Sequence, residues 1–184
     1  MDSTVEITVR LEEDFYRQID LIPKENYFRE QLEIQTLQAN RNSIGLFGLK
    51  ELKDRVAEPI KLSSKKIAVS ELMGSISIFT DWVSSKIIIG YSQSSKIQNN
   101  FFAFAFNCYG IIVEHDQNVV KSIWLENASN FAPDRNGENL LTALYTLGTN
   151  YELIIVDWNE EVVVPLDNKE LIQKYLTKVL YMTL

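Results

Sequence analysis

The sequence predicts an α+β fold with a mostly antiparallel sheet of about five to seven strands and helices packed on one face. Short apolar segments separated by polar turns succeed one another over residues 86–125, which is typical of an antiparallel meander. Residues 134–180 then follow the order helix, strand, strand, helix. A chain of 184 residues can bury a core of its own. We therefore expect a single α+β domain over residues 1–184, with the main sheet and the C-terminal helices over 67–184.

The N-terminal segment predicts a strand followed by a helix. Residues 4–10 alternate between apolar and polar side chains, which is typical of a half-buried strand. Apolar residues then recur at helical spacing, and Pro23 would end the helix. The residues with this spacing are Leu11, Phe15, Ile19 and Ile22.

Residues 24–66 are the least regular third of the chain, and we expect an irregular segment that could form a helical arm. Around Phe28 two patterns remain open. One is a helix with Phe28 and Leu32 facing the core, and the other is a strand through Leu32 and Ile34. A short helix is expected near residues 49–56.

Residues 69–83 also fit two patterns. Seven apolar side chains lie on one face of a helix, whereas Ile76, Ile78 and Thr80 fit an alternating strand. Gly74 and the serines weaken the helix. The longer match favours it, so we predict a helix here.

The middle of the chain predicts a β-meander. The segment KIIIGYS predicts a buried strand, and FFAFAF begins a group of up to three strands with two turns. Phe102, Phe104 and Phe106 would share one face of their strand, where we expect the C-terminal helices to pack. Ala103 and Ala105 would lie on the other face. Their small side chains would let another element pack closely.

The last four elements have the clearest signals. Asn136 is expected to cap the first helix, and Gly148 to end it in a left-handed conformation. YELIIVDW is too apolar to have a solvated face and predicts a central strand, which NEE would turn into VVVP. Asp167 and Glu170 resemble a capping box before the last helix. The stripes expected to face the core are Leu140, Leu141, Leu144 and Leu147 in the first helix, and Leu171, Ile172, Tyr175, Leu176, Val179 and Leu180 in the second.

The composition excludes several classes of protein. The net charge is −7 and there is no stripe of Lys and Arg, so we do not expect nucleic-acid binding. The single Cys108 excludes an internal disulfide and a cysteine-based zinc site. The N-terminus lacks the pattern of a signal peptide, and no apolar run is long enough to cross a membrane. We expect a cytoplasmic protein whose acidic surface suits a basic protein partner.

The residue patterns predict no catalytic, metal or cofactor site. The only histidine, His115, lies between Glu114 and Asp116. In a strand it would point away from both carboxylates, so we interpret the three residues as the end of a hairpin, with a catalytic His115 as the alternative. Residues 45–50 lack the glycine spacing and the Gly-Lys-Ser/Thr of a P-loop.

Tryptophans beside carboxylates are the best candidates for a docking surface. Tryptophan is enriched at interface hot spots, and acidic neighbours complement a basic partner. The alternative is that each tryptophan belongs to the core. The residues that we expect to bind a partner are Trp124, Glu126, Trp158, Glu160, Glu161, Glu114 and Asp116.

Three classes of function remain. In size, in charge and in the catalytic patterns that it lacks, the chain resembles bacterial immunity proteins, which neutralise a cognate toxin by plugging or covering its active site. This resemblance implies a small inhibitor that binds a basic toxin domain. A self-associating structural subunit, such as a homodimer formed through the phenylalanine-bearing sheet, is the first alternative. A hydrolase that uses carboxylates alone, drawn from Asp81, Glu114, Asp116 and Asp157, is the second.

Overall fold

The computed structural model describes residues 8–11, 18–41, 60–90, 97–106, 108–127, 137–182 and 184. Ten strands and four α-helices lie in this part of the chain. The strands are β1 (Thr8–Leu11), β2 (Ile19–Pro23), β3 (Trp82–Ser84), β4 (Lys86–Ile89), β5 (Ile97–Gln98), β6 (Phe101–Phe106), β7 (Tyr109–Asp116), β8 (Val119–Asn127), β9 (Leu153–Asp157) and β10 (Val162–Pro165). The helices are α1 (Tyr27–Arg41), α2 (Val69–Ile76), α3 (Glu138–Tyr151) and α4 (Lys169–Lys178).

The main sheet has seven strands in the order β10-β9-β2-β8-β7-β6-β3, and all neighbours in it are antiparallel. Its β6-β7-β8 meander and its β9-β10 hairpin lie where the apolar segments predict them. The α+β fold class and the antiparallel sheet are therefore confirmed.

Strand β2 corrects the sequence analysis, which predicts a helix that ends at Pro23. All five residues of Ile19–Pro23 are buried, and β2 pairs with β8 on one side and β9 on the other. A strand buried on both faces is apolar without alternation, so its pattern is easily taken for a helical stripe. Because β2 is a central strand, the main sheet also includes residues 19–23, which lie outside the predicted range 67–184.

Helices α2, α3 and α4 cover the face of the sheet that carries Phe102, Phe104 and Phe106, and they form one core cluster with it.

Glycine is needed in α3 at Gly148, where a Cβ atom would lie 2.2 Å from the Leu166 backbone. The predicted left-handed end at Gly148 is wrong. The helix continues to Tyr151, and Glu152 takes the left-handed conformation with φ 55°.

A second sheet covers part of the opposite face. Strands β1, β4 and β5 form it, with β1 and β4 parallel. Its buried side chains Val9, Leu11 and Ile87 pack against Ala103 and Ala105 of β6 in a separate cluster. The prediction that the small side chains of β6 admit a closely packed element is confirmed. All six residues of β6 are buried.

Helix α1 covers the rest of that face. Ile34 packs there against Ile22, Ile154 and Val156. Phe28 and Leu32 are 82% and 65% exposed, so the expectation that they face the core is wrong. They lie one helical turn apart on the side of α1 that points away from the sheet.

Two element boundaries also differ from the prediction. The helix predicted over 69–83 ends at Ile76, and Trp82 and Val83 belong to β3, the short edge strand. The prediction that Asp167 caps α4 is wrong, because the capping residue is Asn168, whose side chain accepts hydrogen bonds from the backbone N–H groups of Glu170 and Leu171. Leu171 is 39% exposed and does not face the core. Asn136, residues 45–50 and the helix expected near 49–56 lie outside the described residues.

Candidate docking surface at one end of the main sheet

The β9–β10 turn (Trp158–Glu161) is held to the rest of the protein by Asp157, the last residue of β9. Asp157 Oδ1 accepts hydrogen bonds from the backbone N–H groups of Asn159 and Glu160, both at 3.0 Å. Its Oδ2 accepts a hydrogen bond of 2.8 Å from the Tyr175 hydroxyl on α4. The side chain therefore joins the turn to the helix that packs behind it.

This junction is buried, and its burial affects the pKa of Tyr175. Asp157 and Tyr175 are 1% and 3% exposed. Burial, together with the neighbouring Asp157 carboxylate, raises the pKa of Tyr175 well above its usual value. The phenol therefore stays protonated at neutral pH and donates to the carboxylate. A hydrogen bond to a charged acceptor in a dry environment is stronger than a neutral one.

The other side of the turn is held by β2 and α1. The backbone N–H of Trp158 donates to the Gln18 carbonyl at 2.9 Å. The half-buried Trp158 ring packs against the cluster beneath α1. Gln38 Nε2 of α1 donates to the Glu161 carbonyl at 3.2 Å. The exposed Glu160 and the half-buried Glu161 are thus presented on a turn that is anchored on both sides.

Trp124 and Glu126 do not lie on an accessible surface. They are 0% and 5% exposed. Trp124 is covered by the second sheet, and its ring meets that of Phe101 edge-on, with 5.9 Å between the centroids. In the structure Trp124 is therefore a core residue rather than a docking residue, because the face of β8 that carries it is covered by a second layer. Asp20, which the sequence analysis does not single out, is buried opposite Trp124.

Glu114 and Asp116 lie at the opposite end of the sheet from Glu126. Strand β7 has eight residues, so its two ends are roughly 23 Å apart at about 3.3 Å per residue. Glu114 Oε2 accepts a hydrogen bond from Ser122 at 2.6 Å, and Asp116 forms an ion pair with Lys121 at 3.6 Å. The seven predicted residues therefore occupy three places, namely the β9–β10 turn, the core and the β7–β8 hairpin.

His115 lies at the end of this hairpin, as the sequence predicts. Its ring contacts Phe102, with 5.7 Å between the centroids, and Nδ1 donates to the Gln117 carbonyl at 3.1 Å. A carbonyl oxygen only accepts, so Nδ1 carries the proton. Cys108 directly precedes the first residue of β7, at the other end of that strand. It is half-buried and packs against the helix-covered core. His115 and Cys108 therefore lie at opposite ends of one strand.

The sequence contains a local signal for the Asp157 junction that the analysis did not use. Aspartate directly before a polar turn commonly accepts hydrogen bonds from the backbone two residues on. The sequence DWNEE at residues 157–161 has this form. The bond from Tyr175 has no local signal, because it depends on the packing of α4.

The described part of the chain contains neither a metal-binding cluster nor a membrane-spanning helix. Among the residues that the structure describes, no three His, Cys, Asp or Glu side chains are grouped so as to hold a metal ion. In the same part of the chain, every helix is too short or too polar to cross a membrane.

Comparison with known proteins gives no relative. No protein-family model matches the chain, and no curated protein and no solved structure is significantly similar to it.

Proposed function

We propose that this protein is a small acidic protein-binding module of the cytoplasm, an inhibitor of the immunity-protein type that neutralises a basic bacterial toxin by binding it. The observation that carries the proposal is the anchored β9–β10 turn, in which Asp157 accepts hydrogen bonds from the backbone of Asn159 and Glu160 and Gln38 donates to the carbonyl of Glu161. A loop that is ordered before binding loses little conformational entropy when a partner binds.

The chemistry of the turn supports a basic partner. Glu160 is exposed, and the chain as a whole has a net charge of −7. Acidic side chains on a rigid turn attract a basic partner during diffusion and raise the association rate. Trp158 beside them supplies an amphipathic ring at the edge of the surface.

The β7–β8 hairpin is a weaker candidate for the same role. Its Asp116 is paired with Lys121, and its Glu114 accepts a hydrogen bond from Ser122. The self-association alternative depended on an uncovered face of the sheet, and both faces of β6 are covered. No observation therefore favours that alternative.

The two acidic pairs provide a test and a matched control. Glu160→Lys/Glu161→Lys and Glu114→Lys/Asp116→Lys change the net charge equally, at opposite ends of the sheet. We would use wild type and both variants as affinity baits in the cells that produce the protein, and identify stoichiometric partners by mass spectrometry. We expect wild type and the Glu114/Asp116 variant to retain one basic protein that the Glu160/Glu161 variant loses.

Binding kinetics with the purified partner complete the test. The Glu160/Glu161 variant should associate about tenfold more slowly at low ionic strength, because electrostatic steering is lost. This difference should shrink as salt screens the charges. Circular dichroism should show both variants folded, since Glu160 and Asp116 are exposed and Glu161 and Glu114 are only half-buried. Equal association rates for the two variants, or an acidic partner, would overturn the proposal.

A further inference from the structure

Strand β10 forms one edge of the main sheet and pairs with β9. In an antiparallel pair, alternate residues direct their backbone groups toward the neighbouring strand. The backbone groups of the other residues point away from β9, although Pro165 at the end of β10 has only a carbonyl to offer, because proline has no N–H. Such an edge can accept a further strand from another chain.

A groove of about 200 Å³ runs between this edge and α4. One wall is β10 itself, and the other includes Leu171, Tyr175 and Val179. Both walls are mostly apolar. Leu171, which the sequence analysis expects in the core, is 39% exposed here. The groove therefore offers apolar contact beside the edge of a sheet.

Two lysines give the groove a charge opposite to that of the whole protein. Lys174 and Lys178 are one helical turn apart on α4, both exposed and both lining the groove. Within the part of the chain that the structure describes, neither forms an ion pair. The chain has a net charge of −7, yet among the described residues that line the groove these lysines are the only charged ones. Glu160 of the β9–β10 turn acts electrostatically on Tyr175, so the positive part of the groove is the side of α4 that carries the two lysines. Its charge complements an acidic ligand.

We propose that the β10–α4 groove binds an extended acidic segment of another protein, which adds to the main sheet as an eighth strand beside β10. Backbone hydrogen bonds to β10 would hold the segment, and its carboxylates would meet Lys174 and Lys178. The inference does not rest on the proposed function, whose surface is the acidic β9–β10 turn next to β10 and whose partner is basic.

The same charges argue against a second copy of this chain as the occupant. Antiparallel pairing of β10 with β10 of another copy about a twofold axis would place the two α4 helices side by side on one face of the joined sheet. Lys174 and Lys178 would then face the same lysines of the other copy. Like charges brought together in this way disfavour the pairing.

The test uses three labelled hexapeptides with the full chain. The first alternates valine and glutamate, so that its glutamates share one face and can be directed at the lysines. The second is the same peptide with every backbone nitrogen methylated, which removes the donors that a strand needs. The third has lysine in place of glutamate. Binding is measured by fluorescence anisotropy, and hydrogen exchange of the Val162–Val164 amides reports whether β10 is the site.

We expect the acidic peptide to bind and to protect amides of β10, and the methylated and basic peptides to bind at least about tenfold more weakly. Lys174→Glu/Lys178→Glu should lower the affinity for the acidic peptide by about tenfold or more. Lys61→Glu/Lys66→Glu, an equal charge change at exposed positions away from the groove, should leave it within about twofold. The Glu160→Lys/Glu161→Lys variant should still bind the peptide, which separates this site from the acidic turn.

Three results would overturn the inference. Equal binding of the acidic and basic peptides would show that the lysines do not select the ligand. Full binding of the methylated peptide, or no protection of β10, would show that no strand is added. A dimer in analytical ultracentrifugation that protects the β10 amides without peptide would assign the edge to a second copy.

Discussion

Gly148 lies where α3 packs against the backbone of Leu166, the residue that directly follows β10. A Cβ atom there would lie 2.2 Å from the carbonyl carbon and oxygen of Leu166. Gly74, in α2, has open space at the same position, with no atom within 4 Å. The two helical glycines therefore differ in what they do. One permits a close approach of backbone, and the other only weakens its helix.

Alanine at the two positions should have opposite effects. Gly148→Ala should lower the free energy of unfolding by about 3 kcal/mol, because α3 or the Leu166 backbone must move. Gly74→Ala should raise it by up to about 1 kcal/mol, because alanine favours the helix. Urea unfolding of both variants measures these changes. A Gly148→Ala variant as stable as wild type would show that the contact is easily relaxed.

Among the secondary-structure elements, the β9–β10 turn and α4 are connected through Asp157. One carboxylate closes the turn through two backbone hydrogen bonds and joins it to α4 through Tyr175. The edge strand, the acidic turn and the last helix are thereby positioned together. Local sequence indicates the turn, whereas only packing brings the tyrosine to it.

Tyr175→Phe should lower the free energy of unfolding by about 1–3 kcal/mol at neutral pH, because the buried Asp157 loses a donor. The pKa of Tyr175 is raised in the folded state, above its unfolded value of about 10. The stability that this shift provides is therefore complete below about pH 10 and is lost as the pH rises further.

The measurement is urea unfolding of wild type and Tyr175→Phe from pH 8 to pH 11. The difference between them should be constant up to about pH 10 and should shrink above it. The control is Tyr181→Phe, because Tyr181 is 70% exposed, and we expect it to follow wild type throughout. A constant difference across the whole range would contradict the role assigned to the phenol.

The molecule as a whole has three layers. Helices α2, α3 and α4 lie on one face of the main sheet, and α1 with the three-stranded sheet lies on the other. Trp124 is the largest fully buried side chain, and it lies between the two sheets. A tryptophan in that place holds two layers together and cannot contact a partner unless they separate.

Trp124→Ala should therefore lower the stability of the fold. We expect a loss of about 3–5 kcal/mol in the free energy of unfolding. Trp158→Ala should cost less, because Trp158 is only half-buried at the rim of the α1 cluster. Chemical denaturation with near-ultraviolet circular dichroism measures both. A Trp124→Ala variant with wild-type stability that no longer captured the partner would place Trp124 in the docking surface after all.

Elements whose local patterns fit a single type of structure could be predicted from the sequence alone. The alternating and apolar segments of β6 to β10, the stripe of α3, that of α4 apart from Leu171, and the close packing on Ala103 and Ala105 follow from side-chain spacing and size. The remaining features of the fold depend on contacts between segments that are distant in sequence. Ile19–Pro23 is a strand because β8 and β9, distant in sequence, pair with it on both sides. Trp124 is buried because β1 and β4 cover it. Local spacing is the same for a buried residue and a docking residue, so only the packing of remote segments distinguishes them.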